Sequence, residues 1–168
     1  SIDCVWNGMT LNDEVKSAMS CSNAYCNNAQ VVIVKAADAS KYQSAADCKD
    51  LKFAVESGSA GQKAAEANGY QFTEVKDQAT ALMEVKAGTC DAAIIDSLMA
   101  AAMVGEGTGY AELTYTAKLT SEEYGVGFRK GSDLTEKLNE FFKTTFESGK
   151  TAEIAEKYGV QAAVIDQK

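Results

Sequence analysis

No proline and no histidine occurs anywhere in this chain of 168 residues. Without proline no turn is locked by a fixed φ, so every reversal depends on Gly, Asn, Asp and Ser. Without histidine the commonest metal ligand and pH-active base is missing. No Cys-x-x-Cys replaces it, so no zinc pattern is present and no metal or other cofactor is expected. Basic residues are the minority, 16 against 24 acidic, and the net charge is −8. They are scattered, whereas nucleic acid or an anionic membrane needs a clustered basic patch. Neither is expected as a partner. Long apolar runs are absent too: Gln30–Val34 and Leu98–Val104 are too short to span a bilayer. The chain does not open on a signal-peptide pattern, which implies a cytosolic protein or one already trimmed.

What is present suits a globular core: 46% hydrophobic residues against 24% charged. The length fits one domain or two small lobes. The five cysteines are Cys4, Cys21, Cys26, Cys48 and Cys90. Cys4 and Cys90 stand in or beside apolar strands and read as small buried thiols. Cys21 and Cys26 are near enough in sequence to pair, but spacing alone does not prove a bridge. An odd count leaves at least one thiol free.

The first strand is read as Ile2–Asn7, stopping at Gly8. Asn12 caps a helix with Val15, Ala18 and Met19 on one face. Gln30–Lys35 is a near-continuous apolar run, the mark of a strand covered on both faces. Residues 36–49 read as a connection. From Asp50 the pattern is regular βαβ. Lys52–Glu56 is a strand, and Ser59 and Gln62 have capping-box spacing before a helix that Gly69 stops. Tyr70–Val75 is a strand, and Asp77 caps a helix buried through Ala81, Leu82 and Val85. Asp91–Ile95 is a strand, and Ser97–Val104 a helix. Glu112–Leu119 is extended. Tyr124–Phe128 is a strand whose glycines mark close approach by backbone or ligand. Asp133 and Glu136 start a helix bearing Leu134, Leu138, Phe141 and Phe142, and a last helix carries Ile154, Ala155 and Tyr158. Such alternation predicts a mainly parallel α/β sheet. The predicted division is 1–36, part of a first lobe; 37–116, a complete second lobe; and 117–168, the return crossover and C-terminal helices of the first. Gln30–Val34 falls in the first lobe, and the crossings lie near residues 35–44 and 112–121.

Two strand ends carry chemistry. Lys52–Glu56 runs into Ser57-Gly58-Ser59-Ala60-Gly61-Gln62, a helix start with free N–H groups and partial positive charge for an anion. Asp91–Ile95 ends on Asp96, a negative charge for a cation. In a parallel sheet, ligands sit outside the carboxyl ends of the strands. Together the two ends suit a zwitterion. The plain alternatives are a capped helix at Ser59 and an N-cap at Asp96.

Asp3–Thr10, Asn27–Lys35, Glu56–Gly61, Ala81–Asp96 and Glu122–Gly131, in this order and spacing, resemble the extracytoplasmic amino-acid-binding proteins of ABC import systems. These are type II periplasmic-binding-protein-like α/β proteins with two lobes. The resemblance implies one complete βαβ lobe plus an incomplete second lobe, with an amino acid bound between them. It implies that Asn7, Gly8 and Thr10 touch the ligand's carboxylate and amino groups. It further implies that Ser59, Ala60 and Gly61 donate to the carboxylate and that Asp96 pairs with the ammonium. Where the family places a clamping arginine this chain has Val15, followed by Lys16. The family's opening strand-helix-strand-helix portion of the first lobe precedes the point at which this chain starts. Faces such as Phe141 and Phe142 are therefore expected to be exposed, and to be covered by the missing N-terminal fragment or by a homodimer partner. A membrane permease is the implied further partner, and the implied location is extracytoplasmic. The alternatives are a cyclic-acid dehydratase-like enzyme on the same fold, with Glu56 and Asp96 as its candidate acid–base groups, and a truncated fragment that dimerises without binding.

Overall fold

The run Gln30-Val31-Val32-Ile33-Val34 alternates its side chains between two faces, and all five residues are buried. A strand with that pattern must lie inside a sheet covered on both sides. In the computed structural model, which describes residues 2–167, it does. The strands are β1 (Cys4–Thr10), β2 (Ser20–Cys21), β3 (Cys26–Asn28), β4 (Gln30–Lys35), β5 (Lys52–Glu56), β6 (Gln71–Val75), β7 (Ala92–Asp96), β8 (Leu113–Lys118) and β9 (Glu122–Phe128). The helices are α1 (Asp13–Ala18), α2 (Ala60–Asn68), α3 (Gln78–Ala87), α4 (Ser97–Met103), α5 (Leu134–Glu147) and α6 (Lys150–Lys157). No helix among the described residues is long and apolar enough to cross a membrane.

The chain forms two units, one holding the residues up to Asn28 and from Glu122 onward, the other Ala29–Ser121. The second unit is a five-stranded sheet in the order β6-β5-β7-β4-β8. β6, β5 and β7 are parallel, while β4 runs antiparallel to both β7 and β8. The sheet is thus mixed rather than mainly parallel. Val31 and Ile33 pack with Ala81, Leu82 and Val85 of α3 and Ala100 of α4 on one face. Val32 and Val34 pack with Phe53, Ala65 and Tyr70 on the other.

This corrects the sequence-based placement of Gln30–Val34 in the first lobe. The strand supplies apolar side chains to both cores of the second unit, so the chain passes between units at Asn28/Ala29 and Ser121/Glu122 instead of near 36 and 116. Residues 36–49, read as a connection, contain two short 3-10 helices, Ala36–Lys41 and Ala45–Cys48.

The helix stops follow local chemistry. The Asp77 carboxylate accepts from the Thr80 N–H at 2.7 Å, and Gly69 and Gly88 close α2 and α3 in the left-handed region. Asp133 precedes α5 but makes no side-chain cap; it pairs instead with Lys137.

In the first unit β9 pairs with β1, β2 and β3, always antiparallel. β1 does not stop at Gly8 but continues to Thr10 through a bulge, where the register jumps from Val5↔Gly127 to Met9↔Gly125. Gly8 takes φ +55°, a conformation glycine adopts without strain. Gly125 and Gly127 admit close packing by side chains of the same unit. A Cβ at Gly125 would lie 2.6 Å from Leu11 Cδ2, and one at Gly127 would lie 2.7 Å from Met19 Sδ. Cys4 is exposed, contrary to the expectation of a buried thiol, whereas Cys90 is buried. All five thiols are free; Cys21 and Cys26 face Gly127 and Tyr124 at separate places along β9.

Leu82 is fully buried between α3 and the sheet. Leu82→Ala should lower stability by about 2–5 kcal/mol, read as a fall in the urea midpoint of the transition that reports the second unit.

Candidate functional site

β5 and β7 are adjacent and parallel, with Phe53 opposite Ala92 and Val55 opposite Ile94. Their carboxyl ends therefore share one edge of the sheet. β5 leads through Ser57 and Gly58 to α2, and β7 ends on Asp96. The loop before α2 is braced. Ser57 Oγ donates to Glu74 Oε2 at 2.5 Å, and Gly58 N–H donates to Gln62 Oε1 at 2.7 Å. Gln62 Nε2 reaches Glu66 Oε1 at 3.0 Å and Glu74 Oε1 at 3.2 Å.

At the helix start, Ser59 Oγ accepts from the Gln62 N–H at 3.1 Å, and Ser59 O accepts from the Lys63 N–H at 3.2 Å. Gln62 returns its side chain to Gly58, one residue before the capping-box target. Among the described residues no acceptor is provided for the Ala60 and Gly61 amides, the first N–H groups of α2. Such groups, with the helix dipole behind them, suit an anion.

Asp96 occupies the position before α4, yet its side chain makes no capping bond there. The carboxylate is held elsewhere. Gln30 Nε2 donates to Oδ1 and Gln78 Nε2 donates to Oδ2, both at 2.6 Å. Gln78 Oε1 in turn accepts from the Asp96 N–H at 2.9 Å. Both amides are neutral, so they satisfy the carboxylate without cancelling its charge. A carboxylate has about four lone-pair sites, and these amides take one on each oxygen.

Gln30 also connects Asp96 to the helix start. A Cβ on Gly61 would lie 3.1 Å from Gln30 Oε1 and 3.2 Å from Ile94 O. The backbone of α2 thus rests directly on the glutamine that holds Asp96. The sequence-predicted residues Ser59, Ala60, Gly61 and Asp96 fall at one edge of one unit, with one side chain spanning them.

Asn7, Gly8 and Thr10 are placed together on β1 of the other unit, Asn7 and Gly8 within the bulge and Thr10 paired with Tyr124. Trp6 beside them is half exposed and meets Tyr25 and Phe142 edge-on, at 6.4 and 5.9 Å between ring centres. It is a packing residue of this unit. Val15 is half-buried on α1 and Lys16 exposed. Burial pushes the Tyr25 phenol and the Cys26 thiol above their ordinary values.

Gln30 and Gln78 were missed by sequence reasoning. The available signals were a glutamine opening an otherwise apolar strand and a glutamine at the first position of α3. A hollow of about 160 Å³, lined by Lys35, Asp38, Tyr42, Cys90 and Asp91 among others, lies where β5 and β7 begin, at the opposite edge.

The sequence model of the bacterial extracellular solute-binding proteins, family 3, matches residues 1–161. The L-arginine-binding protein of Pseudomonas aeruginosa is 32% identical over 169 residues, which cover 94% of this chain and 64% of that protein. The L-cystine-binding protein TcyJ of Escherichia coli K12 is 27% identical over 160 residues, 94% of this chain and 60% of that one. The chain thus spans less than two thirds of the length of these relatives. The arginine-, lysine-, histidine-binding protein ArtJ of Geobacillus stearothermophilus superposes with a TM-score of 0.82 at 30% identity, covering 94% of this chain and 69% of that one. The fold is that of the amino-acid-binding proteins.

Gly61→Ala should overpack the contact with Gln30 and Ile94 and cost about 1–3 kcal/mol. Chemical denaturation checks this, and an unchanged midpoint would show that these neighbours give way freely.

Proposed function

We propose, from the fact that this chain belongs to the bacterial extracellular solute-binding proteins of family 3, that it serves without catalysis in binding a small polar solute. The solute is an amino acid or a close relative, and the chain acts outside the cytoplasm as the substrate-binding part of an ABC import system with a membrane permease. The observation that supports this reading is the placement of Asp96. Its carboxylate makes no capping bond to the helix it precedes and is held by two neutral amides, beside a helix start that offers the Ala60 and Gly61 N–H groups. The α-carboxylate of the solute lies on those amides, and its ammonium lies on Asp96. Ser59 orders the helix start. Relatives named for arginine, histidine and cystine make these the first solutes to try.

The first unit exposes Trp6, Leu134, Phe141, Ile154 and Tyr158, whereas the exposed large apolar residues of the second are Met83 and Tyr115. Fully covering a large apolar side chain contributes about 1.5–3 kcal/mol. Because the relatives are longer, the cover proposed for these residues is polypeptide homologous to the part of the relatives that the chain does not span. On its own the chain should associate or bind a hydrophobic dye in sedimentation and fluorescence measurements. A 17.8 kDa monomer with no dye binding would contradict this.

Calorimetric titration with an amino-acid panel tests the main reading: saturable heat without product is expected. Asp96→Asn should weaken that binding by roughly 1.5–3 kcal/mol, the contribution of a charge-assisted hydrogen bond. Unchanged affinity would place the ammonium elsewhere.

A further inference from the structure

Gln30 is 1% exposed, a primary amide inside a strand of valines and isoleucine. A buried amide without partners costs about 1–3 kcal/mol, so a strand of this kind keeps one only where it is bonded. Its main chain is already satisfied: the N–H donates to Thr120 Oγ1 at 3.0 Å, and the carbonyl accepts from Leu119 N–H at 2.8 Å. The side chain is directed to Asp96 Oδ1. Gln78 approaches from α3 and grips the same residue twice, at carboxylate Oδ2 and at the main-chain N–H. Three elements, β4, β7 and α3, therefore converge on one carboxylate, and each of its oxygens has a fixed donor.

A carboxylate on a single strand end is free to rotate and to turn back onto its own helix as a cap. Two donors on different elements remove both freedoms. They also leave the charge intact, which a lysine or arginine in either place would not. Resting on the solute-binding reading above, we propose that Gln30 and Gln78 are positioning residues. They hold the Asp96 carboxylate in one rotamer beside the first amides of α2, so that a zwitterion meets both poles already set. Preorganisation of this kind raises affinity by reducing the ordering cost of binding.

A double-mutant cycle with calorimetry on the full chain is the test. Gln78→Met keeps the length of the side chain at a half-buried position. It should weaken binding of the best amino acid about tenfold in the parent protein and less than about twofold in the Asp96→Asn background, because the amide acts through the carboxylate. Gln78→Glu, isosteric but unable to donate when ionised, should not restore affinity. An unchanged affinity for Gln78→Met overturns the proposal, and so does an equal loss in both backgrounds, which would mark general structural damage. Because Gln30→Met risks misfolding, Gln30 is read by nuclear magnetic resonance in the unaltered chain. The side-chain amide protons of Gln30 and Gln78 should exchange slowly with solvent, and both signals should move in Asp96→Asn. Rapid exchange overturns the arrangement itself. Protected amides in a parent chain that binds no amino acid would overturn the positioning role along with the solute-binding reading and leave a purely structural network. Protected amides with intact binding but no coupling would sink the positioning role alone.

Discussion

The hydrogen bond from the buried Gln30 amide to the Asp96 carboxylate is the constraint on which the candidate site depends. Through Gln30 it brings together two features that are separate in the sequence. One is a strand end with a negative charge. The other is a helix start with unpaired donors, which lies against the same glutamine through Gly61. Remove the glutamine and the carboxylate loses the donor that fixes Oδ1. Add a side chain at Gly61 and it crowds Gln30 Oε1 and the Ile94 carbonyl.

The fold prepares this arrangement by simple means. Parallel pairing of β5 and β7 brings their carboxyl ends to one edge, and antiparallel insertion of β4 carries Gln30 to that edge from the other direction. The braces around the loop, Ser57 to Glu74 and Gly58 to Gln62, keep α2 from fraying at its first turn. Membership of family 3 of the extracellular solute-binding proteins gives the arrangement a chemical meaning. The apolar exposure of the first unit agrees with relatives that are about half as long again.

Much of the second unit was legible because its signals are local. Asp77, Ser59, Gly69 and Gly88 cap or stop helices by bonds that span three or four residues, and Ala81, Leu82 and Val85 form a helical stripe. Strand membership was less legible. Gln30–Lys35 reads as a doubly covered strand, but nothing local says which sheet covers it, and its place before the regular βαβ run that starts at Asp50 suggested the wrong unit. The bulge at Gly8 was misread as a strand end because a glycine serves either purpose. Ser59–Gly61 and Asp96 were proposed from where strands end, whereas Gln30 and Gln78 escaped notice. Their partner is distant in sequence, and a glutamine's role is set by what it reaches rather than by spacing.

The most direct measurement compares three ligands that share one side chain: an amino acid, the amine lacking its carboxylate, and the acid lacking its ammonium. Calorimetric titration of the parent chain should show saturable binding of the amino acid, with each analogue weaker by about tenfold or more. Equal affinity for either analogue would contradict the account, because one of the two poles would then be idle.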